Sequence, residues 1–175
     1  PGQTGTYSVE ITDANGCSNT SSATSVTVNP LPTPVITASG ATTFCQGDSV
    51  TLTSSAATSY NWSSTEITQS VVVKASGNYS VTVTDGNGCV NTSSSTAITV
   101  NTIPSAPTAS NQTICFAQTT PDLTATGTNP KWYSDAGLTT LVGTGSSLTT
   151  GKTAANTYTY YVTDSVTACV SGSAT

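Results

Sequence analysis

Residues 77–89 have the sequence GNYSVTVTDGNGC, and residues 5–17 have the closely related sequence GTYSVEITDANGC. In both stretches, apolar β-branched residues alternate with small polar ones, which is typical of a strand with one buried face. An Asn-Gly pair follows the alternating part in each case, and this pair is a strong signal for a β-hairpin turn. The two stretches therefore predict a strand and a hairpin that occur twice in the chain.

The repeat extends beyond these stretches. The offset that relates Cys17 to Cys89 continues without a gap to VTVN at 26–29 and ITVN at 98–101. A third, more divergent copy contains YTYYVTD at 158–164, which we align with residues 79–85. Upstream, Cys45 precedes Trp62 by the same interval as Cys115 precedes Trp132. The order Cys, Trp, Tyr, Cys thus occurs twice, which indicates tandem units.

Pro-rich segments at 30–34 and 103–107 separate these units, and proline stiffens such connections. We predict an all-β protein made of tandem Ig-like β-sandwich domains arranged as beads on a string. The predicted domains are 1–29, the C-terminal part of one domain; 30–101, a complete domain; and 102–175, a second domain truncated at its last strand. The chain is thus expected to be part of a longer array. Strands are predicted at 35–39, 49–55, 59–62, 70–74, 79–84 and 96–100, and the predicted core aromatics are Trp62, Tyr79, Trp132 and Tyr158.

The composition excludes several functions. Ser and Thr make up 65 of 175 residues, whereas the chain has three Lys, no Arg, no His and a net charge of −5. Nucleic-acid binding depends on Lys and Arg, and His-based triads or His-ligated metals need His, so we expect neither. No apolar run approaches the length of a membrane-spanning helix, so no membrane insertion is expected. The eight acidic residues are scattered over loop positions, and we predict no cofactor and no enzyme.

Three motifs resemble a known family. FCQGDSVTLT at 44–53, YNW at 60–62 and the stretch 77–89 resemble the Ig-like repeats of very large secreted surface proteins of Bacteroidota, of the Cytophaga and Flavobacterium kind. The third copy, with KWYS at 131–134, resembles a sibling Ig-like type from the same proteins. The resemblance implies type IX secretion, an extracellular or cell-surface location, and a role as adhesin, gliding-motility filament or spacer.

We therefore predict a non-catalytic structural segment of an extracellular adhesin, motility filament or stalk. Its expected partners are neighbouring repeats, surface polysaccharide and other copies of the filament. The alternative is a carbohydrate-binding or spacer module of a secreted polysaccharide-degrading protein. The aromatic pairs Tyr60/Trp62 and Trp132/Tyr133 are the candidates for stacking on sugars, although strand alternation favours core packing of the two tryptophans.

The five cysteines of this weakly charged chain contain no C-x-x-C motif, which favours disulfides in an oxidising compartment over zinc. Two pairings are open. One is within units, Cys45–Cys89 and Cys115–Cys169; the other joins neighbouring units through Cys45–Cys169. In Ig topology the within-unit partners would lie at opposite ends of the sandwich, which counts against the first pairing. Cys17 is expected to pair with a residue that precedes the chain.

Two weaker signals remain. Asp13, Asn15, Asp85 and Asn87 carry oxygen side chains two residues apart, as in half of a calcium loop, but no glutamate follows and the hairpin interpretation competes. Ser49 and Ser165 each lie between Asp and Val, which resembles a short motif for O-glycan attachment in Bacteroidota.

Overall fold

The computed structural model describes residues 3–175, and these residues form an all-β protein without a helix. Accordingly, this part of the chain offers no helix long and apolar enough to cross a membrane. Thr and Val dominate the strands because their branched Cβ atoms favour extended backbone. In chain order the strands are β1 (Gly5–Tyr7), β2 (Glu10–Thr12), β3 (Ser18–Thr20), β4 (Thr24–Val26), β5 (Ile36–Ala38), β6 (Thr43–Cys45), β7 (Val50–Ser54), β8 (Ser59–Trp62), β9 (Ser70–Val73), β10 (Gly77–Tyr79), β11 (Val81–Thr84), β12 (Val90–Thr92), β13 (Thr96–Asn101), β14 (Leu123–Thr124), β15 (Lys131–Tyr133), β16 (Leu141–Thr144), β17 (Ser147–Leu148), β18 (Tyr161–Thr163), β19 (Ser165–Val166) and β20 (Cys169–Val170).

Each of the six strands predicted from the alternation has a counterpart in the structure. The predicted strand 59–62 coincides with β8, and four others differ from β5, β7, β9 and β13 by one residue at one or both ends. The predicted strand 79–84 is interrupted at Ser80 and contributes to both β10 and β11. Within residues 30–101, for which these six strands are predicted, the short strands β6 and β12 are not among them, because so short a segment carries too little alternation to be recognised.

The strands form small sheets of two or three members. The three-stranded sheets have the orders β5-β7-β9, β12-β11-β8, β10-β13-β6 and β16-β15-β18, and the two-stranded sheets are β1-β4, β2-β3, β14-β17 and β19-β20. Most of the neighbouring strands are antiparallel, whereas β13 runs parallel to β6.

The internal repeat is also a repeat of structure. Hairpin β2-β3 pairs Thr12 with Ser18, and hairpin β11-β12 pairs Thr84 with Val90, so the two registers are related by the same offset as the sequences. The burial differs, however: Ile11 is 67 % exposed, whereas its equivalent Val83 is 2 % exposed. The hairpin geometry is thus common to both copies, whereas the burial of its side chains in the structure is not.

Contacts divide the chain into two compact units. The first comprises residues 3–39, 51–72 and 78–97. Its buried apolar side chains belong to β7, β8, β9 and β11, and they are Leu52, Trp62, Val71, Val81 and Val83. These residues alternate with less buried ones along their strands, as expected for strands with one face in a core.

The second unit comprises residues 40–50, 73–77 and 98–175. Its main apolar cluster joins β15, β17 and β18 through Trp132, Leu148 and Val162, with Ala125 beside them. Both units contain part of the segment 30–101, so the domain boundaries inferred from the repeat stay a prediction.

Candidate functional site

A disulfide links Cys45, the last residue of β6, to Cys169, the first residue of β20. The two Cα atoms are 5.7 Å apart, and 124 positions separate the cysteines along the chain. Cys169 is 1 % exposed, so one half of the bond is shielded from solvent. Of the two pairings that the sequence leaves open, the structure contains the one that joins a β6 cysteine to a later hairpin.

The other three cysteines are free thiols in the structure. Cys17 and Cys115 are exposed, and Cys89 is half-buried. The within-unit pairs Cys45–Cys89 and Cys115–Cys169 are therefore not formed. The reason is that Cys45 and Cys169 are bonded to each other, so neither sulfur is available to Cys89 or Cys115.

The candidate calcium residues lie in two hairpin turns of the same design. One carboxylate oxygen of Asp13 accepts hydrogen bonds from the amides of Asn15 and Cys17, each at 2.9 Å. Asp85 does the same with the amides of Asn87 and Cys89. Within residues 3–175, no group of three or more Asp, Glu, His or Cys side chains is placed to hold a metal. The geometry of these four positions is thus that of a turn in which the aspartate stabilises the backbone.

Both tryptophans are buried. Trp62 is 2 % exposed and donates its indole N–H to the Thr68 carbonyl at 2.8 Å. Trp132 is 1 % exposed and donates to the Gly145 carbonyl at 3.0 Å. A buried indole needs such a partner for its single polar group, and here each has one. Neither ring is available to stack on a sugar.

The neighbouring tyrosines are half-buried. The Tyr60 hydroxyl accepts a hydrogen bond from the Ala57 amide at 2.9 Å, which fixes the ring against its own loop. Tyr133 and Tyr79 also have intermediate exposure. Because the tryptophans lie in the core, the aromatic platform for sugar stacking is reduced to two partly covered tyrosines, Tyr60 and Tyr133.

Tyr158, which the repeat assigns to the core, lies at the surface instead. Its ring is 40 % exposed, and the Lys152 ammonium lies 4.8 Å from the ring centroid. The strand register explains the difference. Trp132 pairs with Val162, which is fully buried, so the cross-strand neighbour of the tryptophan is two residues later than the sequence alignment places it.

Asp164 organises a polar cluster that the sequence does not reveal. Its carboxylate accepts hydrogen bonds from the amides of Thr128 (2.9 and 3.0 Å), Asn129 (2.6 Å) and Ser165 (2.9 Å). The amides of Thr128 and Asn129 hold the pKa of this carboxyl below its usual value, although burial acts in the opposite direction. Asp164 is 4 % exposed and belongs to the arm of a hairpin, whereas the alignment with Asp85 places it in a turn.

The two serines of the glycan-attachment motif differ in accessibility. Ser49 is exposed and lies just before β7. Ser165 is half-buried, and its carbonyl accepts a hydrogen bond from the Asn129 side-chain amide at 3.1 Å. A glycan on Ser165 would have to share this space, so Ser49 is the more accessible of the two.

A groove of about 890 Å³ opens in the second unit, within residues 109–175. Two segments without strand structure, 109–116 and 152–160, form most of its wall, and the floor includes Leu123 and Trp132. Phe116, at the edge, is 76 % exposed.

The part of the chain that contains this groove matches a known protein family. Residues 104–175 match the family model described as Ig-like domain, CHU_C associated. These residues form an Ig-like domain. It contains the groove, the Asp164 cluster and one half of the disulfide. No curated protein matches the chain. An Ig-like domain of this kind is typically a structural, non-catalytic module, and the disulfide is consistent with an extracellular location.

Proposed function

We propose that this chain is a tension-resisting segment of an extracellular adhesin, stalk or gliding-motility filament of the type IX secretion class. In this proposal the Ig-like domain at 104–175 is one of several tandem units, with the others at 1–29 and 30–101. The chain performs no chemistry; it spaces and supports what it is attached to.

The disulfide between Cys45 and Cys169 is the observation that carries this proposal. The two cysteines are 124 positions apart, so the bond closes a loop that contains more than half of the chain. A pulling force applied at the two ends cannot extend that loop while the bond is intact. A bond of this span stabilises the folded chain whether it is free or tethered, and in a tethered chain it also limits extension.

The surface composition supports the same function. Ser and Thr provide uncharged hydroxyl groups that hydrate without depending on salt, and three lysines attract few anionic polymers. Such a surface suits a spacer that must not adhere along its length. The carbohydrate-binding alternative receives less support, because Trp62 and Trp132, its best stacking candidates, are buried.

Single-molecule force spectroscopy tests the proposal. The chain, tethered at its two ends, is stretched first under oxidising conditions and then with a reductant. We expect the reductant to release an additional contour length of about 400–450 Å, which is the span of 124 extended residues. A Cys45→Ser chain should show this length from the start. Equal lengths with and without reductant would contradict a mechanical role for the bond.

A gel containing polysaccharide tests the alternative. If the chain is only a spacer, its migration is unchanged by neutral polysaccharides of several linkage types. Retardation that disappears in Tyr60→Ala or Tyr133→Ala would favour the carbohydrate-binding module instead.

A further inference from the structure

The turn of the hairpin β11-β12 presents an asparagine that is followed by glycine. Asn87 and Gly88 are both exposed. The Gly88 amide donates to the Asp85 carbonyl at 3.2 Å, and Gly88 has a φ of 80°. These features are those of a type I turn with Asp85 at its first position and Asn87 at its third, followed by a glycine in the left-handed region. Asn87 therefore lies at the tip of the hairpin, next to a residue without a side chain.

The side-chain amide of Asn87 is unrestrained. In the part of the chain that the structure describes, Asn87 uses its backbone amide for a hydrogen bond, but its carboxamide makes none. Asn91, four residues later, is held at both ends of its carboxamide. Its side-chain N–H donates to the Pro32 carbonyl at 2.8 Å, and its side-chain oxygen accepts from the Thr92 amide at 2.9 Å. The two asparagines of this hairpin thus differ in the freedom of their carboxamides.

An unrestrained asparagine before glycine has a reaction open to it. The backbone nitrogen of the following residue can attack the side-chain carbonyl carbon, and a cyclic imide forms as ammonia leaves. Glycine favours this ring closure, because it has no Cβ to obstruct the approach and its backbone has the widest conformational freedom. Water then opens the imide at either carbonyl, which gives aspartate or the β-linked isoaspartate.

We propose that Asn87 is a site of spontaneous deamidation and that opening of the hairpin turn controls its rate. The Gly88 nitrogen bonds to Asn87 Cγ, the carboxamide C–N bond breaks, and the proton of the Gly88 amide leaves with the ammonia. Hydrolysis of the imide consumes one water molecule and leaves one additional negative charge on the chain. The balance needs no oxidant, reductant or cofactor.

The same reaction is open to the equivalent turn between β2 and β3. The chain has two Asn-Gly pairs, and the second one, Asn15-Gly16, lies in a turn with the same hydrogen bonds to Asp13. The hairpin β19-β20 has Thr167 and Ala168 in its turn instead. Deamidation at an Asn-Gly pair is therefore confined to two of the three related hairpins.

The folded turn slows this reaction in two ways. The Gly88 N–H is engaged with the Asp85 carbonyl, so the nucleophile must first lose that hydrogen bond. The third position of a type I turn also directs the following nitrogen away from its own side chain, so Asn87 must rotate about its Cα–C bond before the attack. The Asp85 carboxylate holds the amides of Asn87 and Cys89 and keeps the turn closed. Local opening of a loop costs much less than global unfolding, so the reaction proceeds from a briefly opened turn.

The isoaspartate product changes the hairpin. Its main chain passes through Cβ and Cγ of residue 87, so one extra carbon atom enters the backbone before Gly88. The hydrogen bonds that join Asp85 to Gly88 and Cys89 span this added atom, and we expect the adjoining pair Thr84–Val90 to weaken. The aspartate product keeps the backbone and places a second carboxylate two residues after Asp85. This modification goes beyond the proposed spacer function and does not depend on it.

Peptide mapping of the aged chain tests the site. The full chain with its disulfide intact and, in parallel, a peptide of residues 83–92 (VTDGNGCVNT) are kept in mildly alkaline buffer without oxygen, and aspartate and isoaspartate are then quantified by mass spectrometry. We expect about tenfold or more conversion at Asn87 relative to Asn91 in the chain, and conversion at Asn87 about tenfold slower than in the peptide. Equal conversion at Asn87 and Asn91 in the chain overturns the site. Equal rates in the chain and the peptide overturn the control by the turn.

Two aspartate variants test that control further. Asp85→Ala removes the carboxylate that closes the turn and should accelerate deamidation at Asn87 by about threefold or more, while the rate at Asn15 stays unchanged. Asp13→Ala is the matched control and should accelerate Asn15 alone. An unchanged or lower rate at Asn87 in Asp85→Ala contradicts the control by the turn. The parent chain carries no substitution, so its peptide map decides the site whatever the variants do to the fold.

Discussion

Ser54 is a polar residue in a core position of β7. It is 2 % exposed, and its hydroxyl has no hydrogen-bond partner among residues 3–175. The sequence Leu-Thr-Ser at 52–54 corresponds to Leu-Thr-Ala at 123–125, and the equivalent Ala125 is also buried. The Ig-like domain thus already carries an apolar residue where β7 carries a hydroxyl.

We expect Ser54→Ala to raise the free energy of unfolding by about 1 kcal/mol, because it removes a buried hydroxyl without a partner. Urea unfolding followed by tryptophan fluorescence measures the change. The control is Ser171→Ala: Ser171 Oγ accepts from the Asp164 amide and donates to the Gly172 carbonyl, so this variant should lose about 1–2 kcal/mol. If both variants are destabilised alike, the Ser54 hydroxyl has a partner in solution.

At the scale of elements, the hairpin β19-β20 has an unfavourable turn. Val166 pairs with Cys169, so the turn consists of Thr167 (φ 48°) and Ala168 (φ 67°), both in the left-handed region. Two-residue turns of this kind prefer Asn and Gly. In the hairpins that follow β2 and β11, glycines at 16 and 88 take the positive φ. This turn adjoins Cys169, so its strain lies beside the disulfide.

Ala168→Gly should therefore stabilise the Ig-like domain by about 0.5–1 kcal/mol, since glycine adopts a positive φ without steric cost. Ala14→Gly is the matched control, because Ala14 precedes the Asn-Gly pair and does not have a positive φ. That variant should be neutral or destabilising, as glycine adds entropy to the unfolded chain. Thermal melts of both variants, with the disulfide intact, make the comparison; a gain in both would exclude turn strain as the cause.

The loop between β15 and β16 contains a carboxylate that makes stability depend on pH. Asp135 accepts hydrogen bonds from the amides of Thr139 and Thr140, at 3.0 and 2.7 Å, and these lower its pKa to about 2. The folded-state pKa is below the ordinary value, so the ionised form stabilises the fold above about pH 4. This contribution is lost as the pH falls towards about 2.

Asp135→Asn removes that dependence. We expect the melting temperature of the parent chain to decrease more steeply between about pH 4 and 2 than that of the variant, whereas above about pH 5 the variant should be the less stable protein. Asp48→Asn is the control for the removal of an exposed carboxylate elsewhere in the chain. Parallel curves for the parent and Asp135→Asn would argue against the hydrogen-bonded turn.

The elements also show which features can be predicted from sequence. The hairpins at 12–18 and 84–90 are predictable, because alternation and Asn-Gly are local signals. The Asp164 cluster is not, since its partner Thr128 lies 36 positions away along the chain. The surface position of Tyr158 escapes prediction for a similar reason: Trp132 pairs with Val162, and no local signal fixes this cross-strand register. For the cysteines, spacing leaves two pairings open, because only the folded topology decides which sulfurs meet.

At the scale of the whole molecule, the Cys45–Cys169 disulfide is the contact that restricts the longest stretch of the chain. Closing a loop of 124 positions lowers the entropy of the unfolded state, which corresponds to roughly 2–5 kcal/mol of stabilisation in the chain-entropy model. The bond joins β6 to a hairpin of the Ig-like domain, so its effect should be measured on the unfolding of residues 40–50 together with that domain. Hydrogen exchange resolves these residues separately from the remainder of the chain.

Cys45→Ser should lower the protection of the amides near Gln46 and in β20 by about 2 kcal/mol or more, and it should leave a free Cys169 thiol that reacts slowly because it is buried. Cys115→Ser, at the equivalent position of the next copy, removes a free exposed thiol and should change protection nowhere outside its own segment. Treating the parent chain with a reductant should reproduce the Cys45→Ser pattern. A uniform loss of protection over residues 3–175 would contradict this expectation. It would mean that the bond stabilises the chain only through the unfolded state, and not by holding β6 to the β19-β20 hairpin.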